Sequence, residues 1–479
     1  MRCRARIPVL TAVVVLLAAL IACSSGGGST TKTTFTPATV SVSVSDPATC
    51  SSPASGPYHN VWVTITDVLI HTSSTAAAND PNWVDLTPNL KNAPQQVDLL
   101  AVANNQCFLA TLGSNTALQP GTYQQIRIIL ADNSAVPAGN HCGAAGANCV
   151  VPSSTLTPQT LLLSSESTTG IKIPPGQIAG GNFTIGSGET KDLNINFDTC
   201  ASIVVQGNGG FRLKPVLHAG EVALTAVSIN GKLVDKATSL PIVGGKAIVA
   251  LEVKDIDGVD RVIMQTTPDS SGAFNFCPVP ALASGSSYDV VAVAVNGANV
   301  AYAATITTGV QPGNALGNIQ MIAVTGANTS PGSITGQVTS ANASNNGIAI
   351  DVMLSALQTV NATKFTIPVT AQSATLTKTT EKPTGCATDP CPPYTATYTM
   401  DLVPPVPPTV GACSVTPPTS YTAGSGTPPA SYVVEGQAFK PMSGGTTDCT
   451  QFKQTTATVS VNPGTPAATA PTLAFTGCT

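Results

Sequence analysis

The sequence predicts an all-β protein, with tandem β-sandwich domains following a signal peptide and a flexible tether. Three observations carry that expectation. From about Ala38 onward, short Val/Ile/Thr-rich runs alternate apolar and polar residues with period two. Gly, Pro, Asn and Asp break these runs at short intervals, with 42 Gly and 38 Pro in 479 residues, which is the grammar of strands and turns. Helical periodicity is almost absent. Only 9% of residues are charged and 4% aromatic, which argues against a coiled coil, a charge-driven disordered chain and a basic nucleic-acid binder.

The first element, MRCRARIPVLTAVVVLLAALIAC, places Arg2, Arg4 and Arg6 before an apolar run from Ile7 to Ala22. That run is shorter than the roughly 20 residues a bilayer span needs, so residues 1–22 read as a signal peptide. Leu20-Ile21-Ala22-Cys23 resembles the bacterial lipobox, and the resemblance implies cleavage before Cys23 and lipidation of its thiol. The alternative is an ordinary secretory peptide that carries a cysteine. Residues 23–38 form a Ser/Gly/Thr-rich tether with no apolar period. The expected partner is therefore a membrane, through the N-terminal lipid. Ser24 resembles the sorting signal for outer-membrane lipoproteins, which in a Gram-negative host places the protein in the cell envelope at the outer membrane. Removal of residues 1–22 leaves 17 basic against 24 acidic residues, a formal charge near −7, and no nucleic-acid partner is expected.

Thirteen cysteines follow the same logic. With Cys3 discarded and Cys23 lipidated, an odd eleven remain, and in an exported chain disulfides are the default. Cys142 with Cys149, and Cys386 with Cys391, are close enough to close small loops and are the candidate disulfides. A metal site at His141 and Cys142 is the weaker reading, because no C-x-x-C occurs and the chain has four histidines.

The next strands are TVSVSV (39–44), NVWVTITDVLIH (60–71), YQQIRIIL (123–130), KDLNINF (191–197) and SIVVQ (202–206). VDLLAVANNQCFLATL, from Val97, fits a short helix or a strand followed by a turn. Gly121 and Tyr123 in PGTY fit a turn entering a strand, with the ring on a sheet face and the hydroxyl at its rim. Asp198 fits a turn cap rather than catalysis. Trp62 fits the core in preference to a stacking platform for a sugar. The ordered blocks VWVTITDV, VDLL, PGTYQQIRIIL and INFDTCASIVVQGNGGFRLKPVL resemble a family of bacterial exported proteins known as domain of unknown function 4382. The resemblance covers residues 39–220. It implies a mostly β domain, frequent lipoprotein anchoring and no established activity.

Residues 221–326 read as a second domain with strands EVALTAVSINGKLVD, KAIVALEVKD, RVIMQTTPD, GAFNFCPVP and YDVVAVAVNG. Gly272, Phe274, Phe276, Pro280 and Tyr288 are similar to the recurring positions of the carboxypeptidase regulatory-like, or transthyretin-like, sandwich. That resemblance implies a non-catalytic spacer or a carbohydrate-binding-like fold. Cys277 and the loop ALASGSS depart from its pattern. Residues 327–479 hold 18 of the 38 prolines, including Pro404-Pro405-Val406-Pro407-Pro408, and five cysteines. They read as a Pro/Thr-rich, disulfide-stapled β domain in preference to a stalk.

Catalytic grammar is missing: there is no G-x-S-x-G, H-E-x-x-H or P-loop. Asp255-Ile256-Asp257-Gly258-Val259-Asp260 reads as a hairpin turn rather than a calcium loop, since it lacks the length and terminal Glu of an EF-hand. No catalytic, cofactor or metal residues are assigned. The expected function is a non-catalytic, membrane-anchored envelope lipoprotein with a binding or structural role toward a polysaccharide or an envelope protein. The alternative is an exported hydrolase built in residues 39–220 from His59, His71, Asp67 and Asp98.

Overall fold

The computed structural model describes residues 36–46, 57–101, 107–205, 209–222, 228–255, 257–282, 285–369, 375–413, 420–422, 427–439, 449–450 and 453–478. The signal peptide, Cys23 and the tether up to residue 35 lie outside them. The chain is all-β with several sheets. No helix among the described residues is long and apolar enough to cross a membrane.

The N-terminal stretch is built on strands β1 (Ala38–Ser45), β2 (Tyr58–His71), β3 (Gln95–Asp98), β4 (Ala110–Leu118), β5 (Gln125–Leu130), β6 (Cys149–Pro152), β7 (Gln159–Leu162), β8 (Ile171–Ile173), β9 (Thr190–Phe197), β10 (Phe211–Leu213) and β11 (Leu217–Glu221). One sheet has the order β11-β9-β1-β4, with β1 parallel to β9. A second is centred on the long β2, which pairs with β3, β5 and β6. Both sheets feed one core that includes Val40, Val42, Val44, Val61, Val63, Ile65, Ile126 and Ile128. Alternation fixes the register: a one-residue slip of β1 would replace its three buried valines by serines, at about 1.5–3 kcal/mol for each valine exposed. Tyr123 is buried and its hydroxyl donates to the Gln119 carbonyl. Asp198 caps the short helix Thr199–Ser202 by accepting from the Ala201 amide.

The principal strands that follow are β12 (Ile229–Asp235), β13 (Lys246–Lys254), β14 (Val259–Thr266), β15 (Ala273–Phe276), β16 (Tyr288–Val295), β17 (Thr305–Val310), β18 (Ala315–Met321), β19 (Gly332–Ser340), β20 (Asp351–Val360), β21 (Thr363–Ile367), β22 (Tyr394–Val403), β23 (Thr409–Ala412), β24 (Ala430–Phe439), β25 (Lys453–Thr455) and β26 (Leu473–Phe475). A single large sheet runs β23-β17-β16-β13-β14-β21-β20-β24-β25 and so continues through residue 326. The sheet β15-β12-β18 covers one face of its middle strands. Val249, Leu251, Val290 and Ala292 point into that core, while Ile248, Val291, Val293 and Ile306 join the core shared with β19, β20 and β22. Burial on both faces is why IVALEV and VVAVAV are nearly continuous apolar runs, unlike the alternating strands of the N-terminal stretch.

The proline-rich segment after β22 is packed, not a free stalk. Pro404, Pro405 and Val406 are buried, and the Tyr432 hydroxyl donates to the Pro404 carbonyl. Proline has no N–H to leave unpaired, so this segment can run from β22 to β23 without a ladder of its own. Cys107 and Cys277 form a disulfide across 170 residues, tying the N-terminal stretch to the loop after β15. Lys214 reaches Asp351 at 3.3 Å, a second tie between distant parts of the chain.

Candidate functional site

The four residues on which a hydrolase would rest are scattered along β2 and its neighbours. Asp98 lies opposite Trp62, and His71 is nine positions further along the same strand, a separation of about 30 Å at ~3.3 Å per residue. Each is already occupied. Asp98 accepts from the backbone amides of Val61 and Leu100 and from Asn60. Asp67 is raised by burial, an effect that Lys91 opposes at 3.3 Å; Lys91 also holds Asp85 at 2.9 Å. His59 is exposed and bonded to Asn60.

His71 most resembles a catalytic base, because its Nε2 lies 3.3 Å from Asp80 Oδ1. Its Nδ1 accepts from the Ser73 amide at 2.8 Å. A neutral imidazole has one lone pair, and this bond takes it, leaving Nε2–H toward Asp80 and nothing to activate a hydroxyl. Around this histidine the 72–83 loop is pinned by a residue that the sequence reading passed over. Arg127, 3% exposed, donates to the carbonyls of Ala76 and Thr169 at 3.0 Å and to Gln125 at 3.2 Å. Its guanidinium lies 4.6 Å from the Trp83 ring centre, and Trp83 donates to the Ala77 carbonyl. Burial pulls Arg127 down to about 10. A charged residue inside the apolar run IRIIL was the available signal.

Asn60, Trp62 and Thr64 alternate with core residues Val61, Val63 and Ile65, so they stand on the outward face of β2. The loop that precedes β6 is laid over this face. His141 stacks on the half-buried Trp62 at 4.2 Å with an interplanar angle of 10°. Gln96 accepts from the His141 amide and donates to Asn140 and to the Ala147 carbonyl. The buried Asn148 accepts from the Thr64 amide. Cys142 and Cys149 are joined within the loop, with S–S 2.00 Å. Trp62 is thus neither core nor an open platform: the His141 ring occupies one of its faces. The outward, polar and aromatic surface formed by Trp62, Gln96 and His141 is the candidate binding patch.

The other candidate disulfide, Cys386 with Cys391, closes a five-residue loop, and Cys449 with Cys478 ties the C-terminal strands. The carboxylates of the DIDGVD segment diverge rather than converge. Asp255 caps the turn by accepting from the amides of Asp257 and Val259, Gly258 takes φ 77°, Asp257 pairs with Lys453 at 2.6 Å, and Asp260 turns inward. Among the described residues, no group of three or more His, Cys, Asp or Glu side chains is arranged to hold a metal ion.

Residues 37–215 match the family model described as Domain of unknown function (DUF4382), on the stretch where the sequence resemblance was read. None of the curated proteins matches the chain. Among solved structures, the Bacillus anthracis TIE protein aligns at 9% identity over 92% of this chain and 50% of its own, with a TM-score of 0.14. The chain therefore spans half the length of that protein. A streptococcal ancillary pilin aligns at 7% identity over 92% of this chain and 98% of its own, TM-score 0.18. A putative adhesin from Bacteroides ovatus aligns at 12% identity over 52% and 89%, TM-score 0.15.

Proposed function

We propose that the chain is a non-catalytic lipoprotein of the bacterial cell envelope, anchored through Cys23 at the outer membrane, with a structural or binding role toward a polysaccharide or an envelope protein. The non-catalytic half rests above all on one observation. Of the residues from which a hydrolytic site in residues 39–220 would be built, Asp98 is spent on the backbone amides of Val61 and Leu100, His71 on the Ser73 amide and Asp67 on Lys91. The envelope half rests on the lipobox-like quartet and the cysteines. Four disulfides among the described residues, one bridging 170 positions, suit an oxidising compartment and a chain that must keep its shape outside the cytoplasm.

The organisation we infer has units at 39–220, 221–326 and 327–479 after the signal peptide and tether, the last two sharing a sheet. The surface around Trp62 and His141 is the one we assign to binding. Two experiments test this. Cys23→Ser should move the protein from the membrane fraction to the soluble envelope fraction, and retention in the membrane would overturn the anchor. The lipid-free chain from Ser24 onward should capture an envelope polysaccharide or an envelope protein, with capture lost on Trp62→Ala. Hydrolysis of an envelope substrate that disappears with His71→Gln would overturn the non-catalytic reading.

A further inference from the structure

The loop between β12 and β13, residues 236–245, holds two large apolar side chains out in solvent. Leu240 is 63% and Val243 50% exposed, and among the described residues no other two large apolar side chains so exposed share a loop. Their exposure is not slack. Ile242, between them, is buried in the core of β12, β13 and β15, and its amide donates to the Leu233 carbonyl at 3.3 Å. One oxygen of Asp235 accepts from the amides of Ala237 and Thr238 and from the Thr238 hydroxyl, and the other accepts from the Tyr302 hydroxyl. The Leu240 carbonyl accepts from the Asp235 amide at 2.9 Å, and the Val243 carbonyl from the Gly297 amide at 3.2 Å. Ser239 is held at φ 57°, in the left-handed region. A loop tied in this way presents Leu240 and Val243 at a fixed place, so a partner does not have to order it on binding.

The charge beside this pair is positive. From Lys236 to Lys246 the sequence reads KATSLPIVGGK, with a lysine at each end and no acidic residue. Both lysines are exposed, and neither forms an ion pair among the described residues. The neighbouring loops 296–300 (NGANV) and 326–330 (GANTS), joined here by the Gly297–Val243 and Ala301–Thr329 bonds, are uncharged. Two aspartates lie at this end. Asp235 is used within the loop as described. Asp269, in the turn whose Gly272 lies against Pro241, accepts from the Ser271 amide and hydroxyl and from the Ala273 amide, and interacts with Lys232. Lys236 and Lys246 thus stand in solvent, while both carboxylates are held by amides and hydroxyls. Leu240 and Val243 project from a loop with a lysine on either side. That pattern matches the interfacial zone of a bilayer, which is apolar below and, with acidic lipid, negative above.

We propose that residues 236–246 form a membrane contact of their own, in which Leu240 and Val243 enter the headgroup region of a bilayer and Lys236 and Lys246 face its acidic lipids. The contact does not rest on the lipid at Cys23 and is tested without it. From the exposed part of the side chain, Leu240→Ser should weaken binding roughly tenfold. Lys236→Gln and Lys246→Gln should each weaken it about fivefold. The whole is weaker than the hold of a single myristoyl chain, about 10⁴ M⁻¹, so it does not by itself retain the chain on a membrane. The chain from Ser24 onward is therefore sedimented with vesicles at up to about 5 mM lipid. Vesicles of phosphatidylethanolamine and phosphatidylglycerol at about 3:1 should bind it, and vesicles of phosphatidylcholine should bind it about 25-fold less tightly. The lysine variants alter only exposed side chains, so they keep the test decisive should the leucine variant misfold. No binding to the acidic vesicles, equal binding to both kinds, or binding unchanged in the variant carrying both Lys236→Gln and Lys246→Gln overturns the proposal. So does a concentration-dependent dimer that Leu240→Ser abolishes, which would make the occupant a second copy of this chain.

Discussion

Arg127→Met tests whether a buried cation without a carboxylate partner holds the 72–83 loop. The guanidinium donates to two main-chain carbonyls, Ala76 and Thr169, and packs on Trp83. Leaving those two carbonyls without donors costs about 1–2 kcal/mol each. Losing the stacked cation costs about 1 kcal/mol more. Against this, methionine is freed from the cost of burying charge. The drop of Arg127 from 12.5 to about 10 equals roughly 3 kcal/mol unscreened and about 1–2 kcal/mol after solvent screening. The net expectation is a loss of about 2 kcal/mol, read as a lower urea midpoint at unchanged slope. Proteolysis should become faster in the 72–83 loop before anywhere else. Arg127→Lys keeps the charge but cannot reach both carbonyls, so it should lose at least as much as the methionine variant. A methionine variant as stable as the parent, or a lysine variant clearly better than methionine, would refute the reasoning.

His218 is buried and pulled down to about 4 by burial, so its contribution to stability is complete above its ordinary range near 6.5 and is lost as pH falls toward about 4; acid unfolding of His218→Gln should begin at lower pH than that of the parent. Replacing both Cys107 and Cys277 by serine opens a loop of 170 residues and should cost up to about 5 kcal/mol by loop entropy, measured by denaturation under non-reducing conditions. A double-mutant cycle on Trp62 and His141 should give a coupling of about 0.5–1.5 kcal/mol, as for stacked rings elsewhere; zero coupling would show that the contact does not hold the loop.

Much of the chain was legible in its residues. TVSVSV and NVWVTITDVLIH declare strands because side chains alternate across a sheet, so one face must be apolar and the other free to vary. The hairpin at Gly258 and the cap at Asp198 follow from local bonding that needs no distant partner. Charged residues inside apolar runs, Arg127 in IRIIL, Glu252 in IVALEV and Asp289 in YDVV, were visible as anomalies. Their meaning was not, since it depends on what lies across the sheet.

The sequence by itself determined the strand content and the supply of cysteines, because periodicity and composition are local quantities. Only the tertiary structure decided that β1 lies between β9 and β4, that Cys107 meets Cys277, and that one sheet passes residue 326 with both faces covered. It also decided that His71 spends its lone pair on a backbone amide, and that Glu252 and Asp260, on neighbouring strands, are both buried. Those facts depend on pairing between segments far apart in the chain. The free energy of such pairing comes from surfaces that exist only once both segments are in place.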